Sequence, residues 1–263
     1  SLSIRWVLLA SQATGTSKAY NLLMSEDVIA SIDSIKKLGI KVKVHKSYCE
    51  ILGNGINGFK YKKNLTINAK NSGTFGRLIL GLLIKSPEKV KIIGDKSLSK
   101  RDFSRVTMPL EKFGAKFYYK TKGKLPLSIL GSPSTKGIKY LENKGSAQCK
   151  SSVMFAALNA TGVTSVKAKK SRNHSELLFQ YLKIPISIKK NKKYDFIDIK
   201  QPKKIKAFNY QIPGDISSSA FFMVLTLLSN NSKLLIKNVN INPSRIGVIT
   251  ILKKMGAKIL LKN

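Results

Sequence analysis

Acidic residues are scarce in this chain. Thirteen Asp and Glu stand against 48 Lys and Arg in 263 residues, a formal net charge of +35. Such a surplus is the usual footprint of a nucleic-acid-binding chain, but arginine is scarce as well. It occurs only at Arg5, Arg77, Arg101, Arg105, Arg172 and Arg245, although base readout and bidentate phosphate recognition favour its planar fork of donors. Lysine is scattered along every segment beside many Asn and Ile, as A/T-rich codons would give. Runs such as "KKNKK" (189–193) and "KKIK" (203–206) read as solvated faces and linkers. A lysine-rich nucleic-acid-binding module thus rests on charge alone. The field of so many lysines would equally draw in small dianionic substrates, and the six arginines are the more informative set.

Cysteine is nearly absent. Cys49 and Cys149 provide neither a disulfide framework nor metal-ligand spacing, so each reads as a small buried hydrophobe in a reducing, cytoplasmic setting. Long apolar runs are missing: "AFFMVLTLL" (220–228) falls well short of the ~20 residues a membrane span needs. No charged-then-apolar leader precedes the first motif, although the sequence opens on "SLSIRW" without Met.

What the chain does have is repetition. Segments beginning at Ser3, Ser72, Ser146 and Ser217 share one order of features. A serine-rich turn leads into a helix-period apolar run, a short Gly/Ser/Asn turn, an alternating strand ("KVKIIG", "KLLIKNV"), a polar loop, a second amphipathic helix and a closing strand. The second helices end on "KLG", "KFG", "YLK" and "KMG", where a glycine after the last turn suits a left-handed cap. Extra strands fall in the spacers "CEILGNG", "LPLSILG" and "FIDI". A period of roughly 70 residues is too long for a solenoid. It predicts a pseudo-symmetric α/β domain with helices inside sheets. Three units fill residues 1–208, "QPKKIKAFNYQIPGD" separates the fourth, and residues 209–263 read as the beginning of a second domain, so the chain is expected to be a fragment.

The turns carry six further blocks in order: "SLSIR" (1–5), "NSGTFGR" (71–77), "GDKSLSKRDFSRV" (94–106), "SAQCKSS" (146–152), "SRNHSE" (171–176) and "PGDISSSAFF" (213–222). In this order and spacing the chain resembles the enolpyruvyl transferases, specifically the 5-enolpyruvylshikimate-3-phosphate (EPSP) synthase family. The resemblance implies an inside-out α/β barrel fold, and joining of shikimate 3-phosphate to phosphoenolpyruvate with release of phosphate. It implies no metal or organic cofactor, no nucleic acid or membrane partner, and a monomer when complete. Ser1 and Arg5 would hold shikimate 3-phosphate, Arg5 at its carboxylate. Ser146, Ala147 and Gln148 would surround its phosphate and ring, with Ser171 and Arg172 completing the cradle. Asn71, Gly73, Arg101 and Gln148 would meet phosphoenolpyruvate, in the pocket where glyphosate also binds in this family.

The family's lysine before the first serine is absent, and its acid–base residues are expected beyond Asn263, so no catalytic residue is named in this chain. The bland readings are helix caps for Ser1 and Ser146, a turn glycine for Gly73, a helix-surface residue for Arg77, and polar surface for His174 and Lys150. Asp102 stands where the family usually has proline, and would either weaken phosphoenolpyruvate binding or orient Arg101 by an ion pair. Ala147 replaces a serine found in some members. A sister enzyme acting on UDP-N-acetylglucosamine shares the repeats, but its Lys-Asn opening and its reactive cysteine loop have no counterpart here.

Overall fold

A computed structural model describes residues 1–262 and divides the chain into two compact units, Ser1–Gln211 and a second from Ile212 onward. The first unit is three variations on one motif. The first comprises α1 (Leu2–Ser11), β1 (Ala13–Tyr20), α2 (Glu26–Lys37), β2 (Lys41–Val44) and β3 (Tyr48–Asn54). The second comprises β4 (Leu65–Asn68), α3 (Gly73–Leu82), β5 (Val90–Ile93), α4 (Lys96–Lys100), α5 (Ser104–Glu111), β6 (Lys116–Tyr119) and β7 (Leu127–Leu130). The third comprises β8 (Lys139–Glu142), α6 (Ala147–Ala157), β9 (Val163–Lys169), α7 (His174–Tyr181), β10 (Ile186–Lys190) and β11 (Tyr194–Lys200). Two short strands follow, β12 (Ile205–Lys206) and β13 (Asn209–Gln211).

Each motif forms one sheet of the same topology. The orders are β4-β5-β7-β6, β8-β9-β11-β10 and β12-β1-β3-β2, with β13 also on β1. In every sheet the leading strand runs parallel to the strand after the first helix, and the remaining pairs are antiparallel. The first motif has no leading strand of its own. β12 and β13 supply it from the far end of the unit, so the supposed linker "KKIK" is partly a strand. The spacer strands expected at "CEILGNG", "LPLSILG" and "FIDI" are β3, β7 and β11.

The helices α1, α3 and α6 lie inside the sheets. Eight or more residues of each are buried, which is why these segments read as near-continuous apolar runs instead of amphipathic stripes. α3 and α6 pack unusually close: a Cβ on Gly81 would stand 2.2 Å from Ser152 O. Ser152 Oγ donates to Arg77 O at 2.9 Å across this contact. The expected left-handed glycines after the second helices are present at Gly39, Gly114 and Gly256, and in the motif without such a glycine Lys183 adopts φ 54° in the corresponding place.

The second unit contains α8 (Ile216–Leu228) and α9 (Gly247–Lys254) around Ile216, Met223, Ile249 and Leu252. The strands expected at "KLLIKNV" and at the closing "KILL" do not form among the described residues; one parallel bridge, Gly214 to Val239, is all that pairs there. Alternation makes a strand only when a neighbour accepts its hydrogen bonds, and among the described residues no strand of this unit lies beside these segments. Among the described residues no helix is long and apolar enough to cross a membrane.

Candidate functional site

The site is built from the N-terminal turns of the three inner helices and the turn before α7. Ser72 caps α3 through Phe75 N–H at 3.2 Å, and Ser146 caps α6 through Cys149 N–H at 3.3 Å. Ser1 precedes α1 but caps nothing; its Oγ instead accepts from Arg5 Nη1 at 2.9 Å. The three helix ends therefore leave free N–H groups and positive dipole ends together with serine hydroxyls, an arrangement that favours anions.

Arg5 is 2% exposed and held entirely by neutral acceptors. Its Nε donates to Ser175 Oγ at 2.8 Å, Nη2 to Ser151 Oγ at 3.0 Å, and Nη1 to Ser1 Oγ and Ser1 O. Burial, then the nearby Arg172, lowers its pKa to about 10, with Glu176 partly offsetting them. The guanidinium remains a cation at neutral pH, and among the described residues no carboxylate touches it. Ser171 completes this half: its Oγ is buried and has no hydrogen-bond partner among the described residues. Its turn lies beside that of Ser146, since a Cβ on Gly145 would meet Lys170 O at 3.4 Å. Ala147, buried in the first turn of α6, offers backbone alone. Behind the turn, Glu142 accepts from Ser146 N–H at 2.9 Å and faces Arg105 Nη2 at 3.4 Å.

The other half surrounds Gly73. A Cβ there would stand 2.8 Å from Arg77 Nη1 and 3.2 Å from Arg101 Nη1, so a side chain at this position would displace the guanidiniums. Arg101 Nη2 reaches Asn71 Oδ1 at 3.4 Å, and Asn71 Nδ2 donates to Asp95 Oδ2 at 2.6 Å. That bond, then the N–H of Leu98, holds the Asp95 carboxyl below its ordinary range. Gln148 joins the two sides from α6, accepting from Arg77 Nη1 at 2.8 Å and donating to Thr74 Oγ1 at 3.1 Å.

Three sequence readings change here. Arg77 is not a helix-surface residue: it is part-buried, its pKa is lowered chiefly by burial, and it grips Gly73 O, Gln148 and Asp102 O. Lys150 is fully buried and paired with Glu176 at 2.5 Å, and His174 is buried too, because α6 and α7 turn these positions into the core. Asp102 forms no ion pair with Arg101 among the described residues; it accepts from Ser104 N–H at 2.8 Å and Ser104 Oγ at 2.6 Å, fixing the entry to α5. Cys49 and Cys149 are both buried free thiols.

An α/β domain of three pseudo-equivalent motifs, with converging helix ends, arginines and hydroxyls, defines an arrangement that favours anions. Comparisons with known proteins give its family. The profile described as EPSP synthase (3-phosphoshikimate 1-carboxyvinyltransferase) matches residues 1–263, and the chain belongs to that family. A 3-phosphoshikimate 1-carboxyvinyltransferase of Bacillus subtilis (strain 168) is 38% identical over the whole chain, and one of Streptococcus pyogenes serotype M1 is 37% identical. An EPSP synthase structure from Acinetobacter baumannii superposes with a TM-score of 0.88 at 34% identity, covering all of this chain and 58% of that one. The chain spans about 60% of the length of the curated relatives.

Proposed function

We propose that residues 1–262 carry the larger part of a binding site for shikimate 3-phosphate and phosphoenolpyruvate, within an enzyme that transfers the enolpyruvyl group to the shikimate 5-hydroxyl. In that reaction the hydroxyl oxygen attacks C2 of phosphoenolpyruvate while C3 gains a proton. The tetrahedral intermediate then loses inorganic phosphate from C2 and a proton from C3, restoring the enol ether. Arg5 and Ser1 meet the shikimate carboxylate side. Ser146, Gln148, Ser171 and Arg172, with the backbone at Ala147, meet its phosphate and ring. Asn71, Gly73, Arg101 and Gln148 meet phosphoenolpyruvate.

The observation that carries this reading is the buried Arg5, ringed by serine hydroxyls without a carboxylate in contact. A buried cation with no carboxylate in direct contact is costly, and a substrate anion relieves that cost on binding. The unpartnered Ser171 hydroxyl is a second vacancy of the same kind. This reading assigns no residue of the chain to proton transfer, so binding without turnover is what it expects of the chain by itself. The beginning of a second domain over residues 209–263, a monomeric state when complete and a cytoplasmic location belong to the same reading.

Calorimetric titration of the chain with shikimate 3-phosphate tests it, with unphosphorylated shikimate and an Arg5→Ala chain as controls. Binding that needs both the phosphate and Arg5 is expected. A folded chain indifferent to the substrate, but binding DNA with a steep loss in salt, would replace this reading with the nucleic-acid one.

A further inference from the structure

Next to Arg5 lies a charged pair that the proposed chemistry does not use. Helix α6 contributes the consecutive residues Lys150 and Ser151, and helix α7 contributes Ser175 and Glu176. The two dipeptides face each other. Lys150 Nζ lies 2.5 Å from Glu176 Oε1, with side chains 0% and 3% exposed. Ser175 Oγ donates to Ser151 Oγ at 2.7 Å, and Arg5 donates to both serines. Two buried cations, Arg5 and Lys150, thus share one buried carboxylate, and the geometry gives that carboxylate to Lys150. Among the described residues neither Lys150 Nζ nor either Glu176 oxygen has a hydrogen-bond partner of good geometry, so the charge attraction between them is what holds them. Glu176 is bonded in sequence to Ser175, the acceptor for Arg5 Nε, and its field already reaches Arg5. A carboxylate that close would be the natural partner for the guanidinium if it were released.

We propose that Lys150 is a positioning residue that engages Glu176 and thereby reserves the charge of Arg5 for the substrate anion. The inference rests on the reading of Arg5 as a substrate ligand. Its consequence is an asymmetry between the partners. Lys150→Met frees the Glu176 carboxylate to turn onto Arg5 and compete with the substrate. Glu176→Gln removes the competitor and leaves Arg5 available. A pair that served packing alone would respond alike to loss of either member, since each loss strands a buried charge.

The test compares the chain with its Lys150→Met, Glu176→Gln and double variants by two readouts. The first is shikimate 3-phosphate affinity by calorimetry. Lys150→Met is expected to bind about tenfold more weakly, Glu176→Gln at least as tightly as the parent, and the double variant within about threefold of it. Equal weakening by both single substitutions would overturn the proposal. The second readout needs no substrate. With six arginines in the chain, the Nε–H resonances are few enough to assign, and that of Arg5 is expected to move in Lys150→Met and return in the double variant. An unmoved Arg5 resonance would overturn the proposal even if the parent chain bound no substrate, whereas a moved one in a chain that bound none would uphold the hold of Lys150 on Glu176 and overturn the substrate reading alone. Should Lys150→Met not fold, Glu176→Gln decides: retained or stronger affinity supports the reservation of Arg5, and a tenfold loss refutes it.

Discussion

Gln148 is fastened to helix α3 at both ends of its amide: Oε1 accepts from Arg77 Nη1 at 2.8 Å, and Nε2 donates to Thr74 Oγ1 at 3.1 Å. The amide orientation is thereby fixed, and the residue proposed to touch both substrates cannot rotate freely. Rigid placement of this kind reduces the ordering cost of binding. Arg77 also closes the turn around Gly73 by bonding its carbonyl and that of Asp102.

Removing Arg77 should therefore act on one substrate more than the other. Arg77→Met is expected to weaken phosphoenolpyruvate binding about tenfold, the range for a hydrogen bond to a charged group. Shikimate 3-phosphate affinity should stay within about twofold, because Arg5 and its serines are untouched. Arg77→Lys should not rescue it, since a single ammonium cannot span three acceptors held in a fork. Titrating phosphoenolpyruvate into chain saturated with shikimate 3-phosphate separates the two effects, and equal losses for both substrates would contradict this division of the site.

Gly73→Ala should leave the fold intact and disturb the pocket. The added methyl would meet only the ends of Arg77 and Arg101, at 2.8 and 3.2 Å, with Leu98 Cδ1 at 3.6 Å. Those ends can swing, and alanine is the better helix residue, so stability should change by less than about 1 kcal/mol. Moving Arg77 breaks its hold on Gln148, and the methyl occupies space otherwise open to ligand. Glyphosate and phosphoenolpyruvate should both bind less well, glyphosate by about tenfold or more on an overpacking cost of 1–3 kcal/mol. Dissociation constants for the two chains would decide this, and unchanged glyphosate affinity would count against Gly73 as a pocket wall.

Asp102 makes a pH-dependent contribution of known sign. Its hydrogen bonds from the Ser104 hydroxyl and N–H hold the carboxyl below its ordinary range. A carboxyl depressed in the folded state stabilises fully above its unfolded value, near 3.8, and loses that contribution as pH falls through the lower folded value. Asp102→Ala should cost about 0.5–1 kcal/mol at pH 7, a capping-type loss. The difference between the two chains should shrink steadily below about pH 4. Urea midpoints measured from pH 7 to pH 3 would show it, and a difference that grew on acidification would reverse the assignment.

Much of this architecture was legible because it is local. Ser72 and Ser146 announce helix starts by their own capping chemistry, and β3, β7 and β11 announce themselves by alternation. The misread residues depend on what lies opposite them. Arg77 sits one turn after Gly73 in either reading, and only the close approach of α3 to α6 at Gly81 shows that it faces Gln148. Lys150 and Glu176 look like ordinary surface charges until α6 and α7 are set side by side. "KLLIKNV" alternates as well as any strand, yet alternation supplies no partner. β12 and β13 show the converse: two and three residues are too short for a period, and their parallel neighbour β1 lies some 190 residues away.

That long-range pairing fixes where the first unit can be cut. A chain ending at Gln211 keeps β12 and β13 on β1 and should unfold cooperatively, with shikimate 3-phosphate affinity unchanged from the longer chain. A chain ending at Lys203 loses both strands and uncovers β1. Ile205 is 1% exposed, and withdrawing its buried side chain alone should cost about 1.5–3 kcal/mol, before the lost strand pairing is counted. The edge so exposed is also a template for association, so the shorter chain should be both less stable and more prone to aggregate. The same cut at Gln211 removes α8, on which Phe221 and Leu228 are each 80% exposed, and should lower binding of an apolar dye. Thermal melts and dye fluorescence of the two truncations are the measurement. If the chain ending at Lys203 melted with the one ending at Gln211, the first sheet would not need its borrowed strands, and the closure of the unit by its own far end would be incidental to its stability.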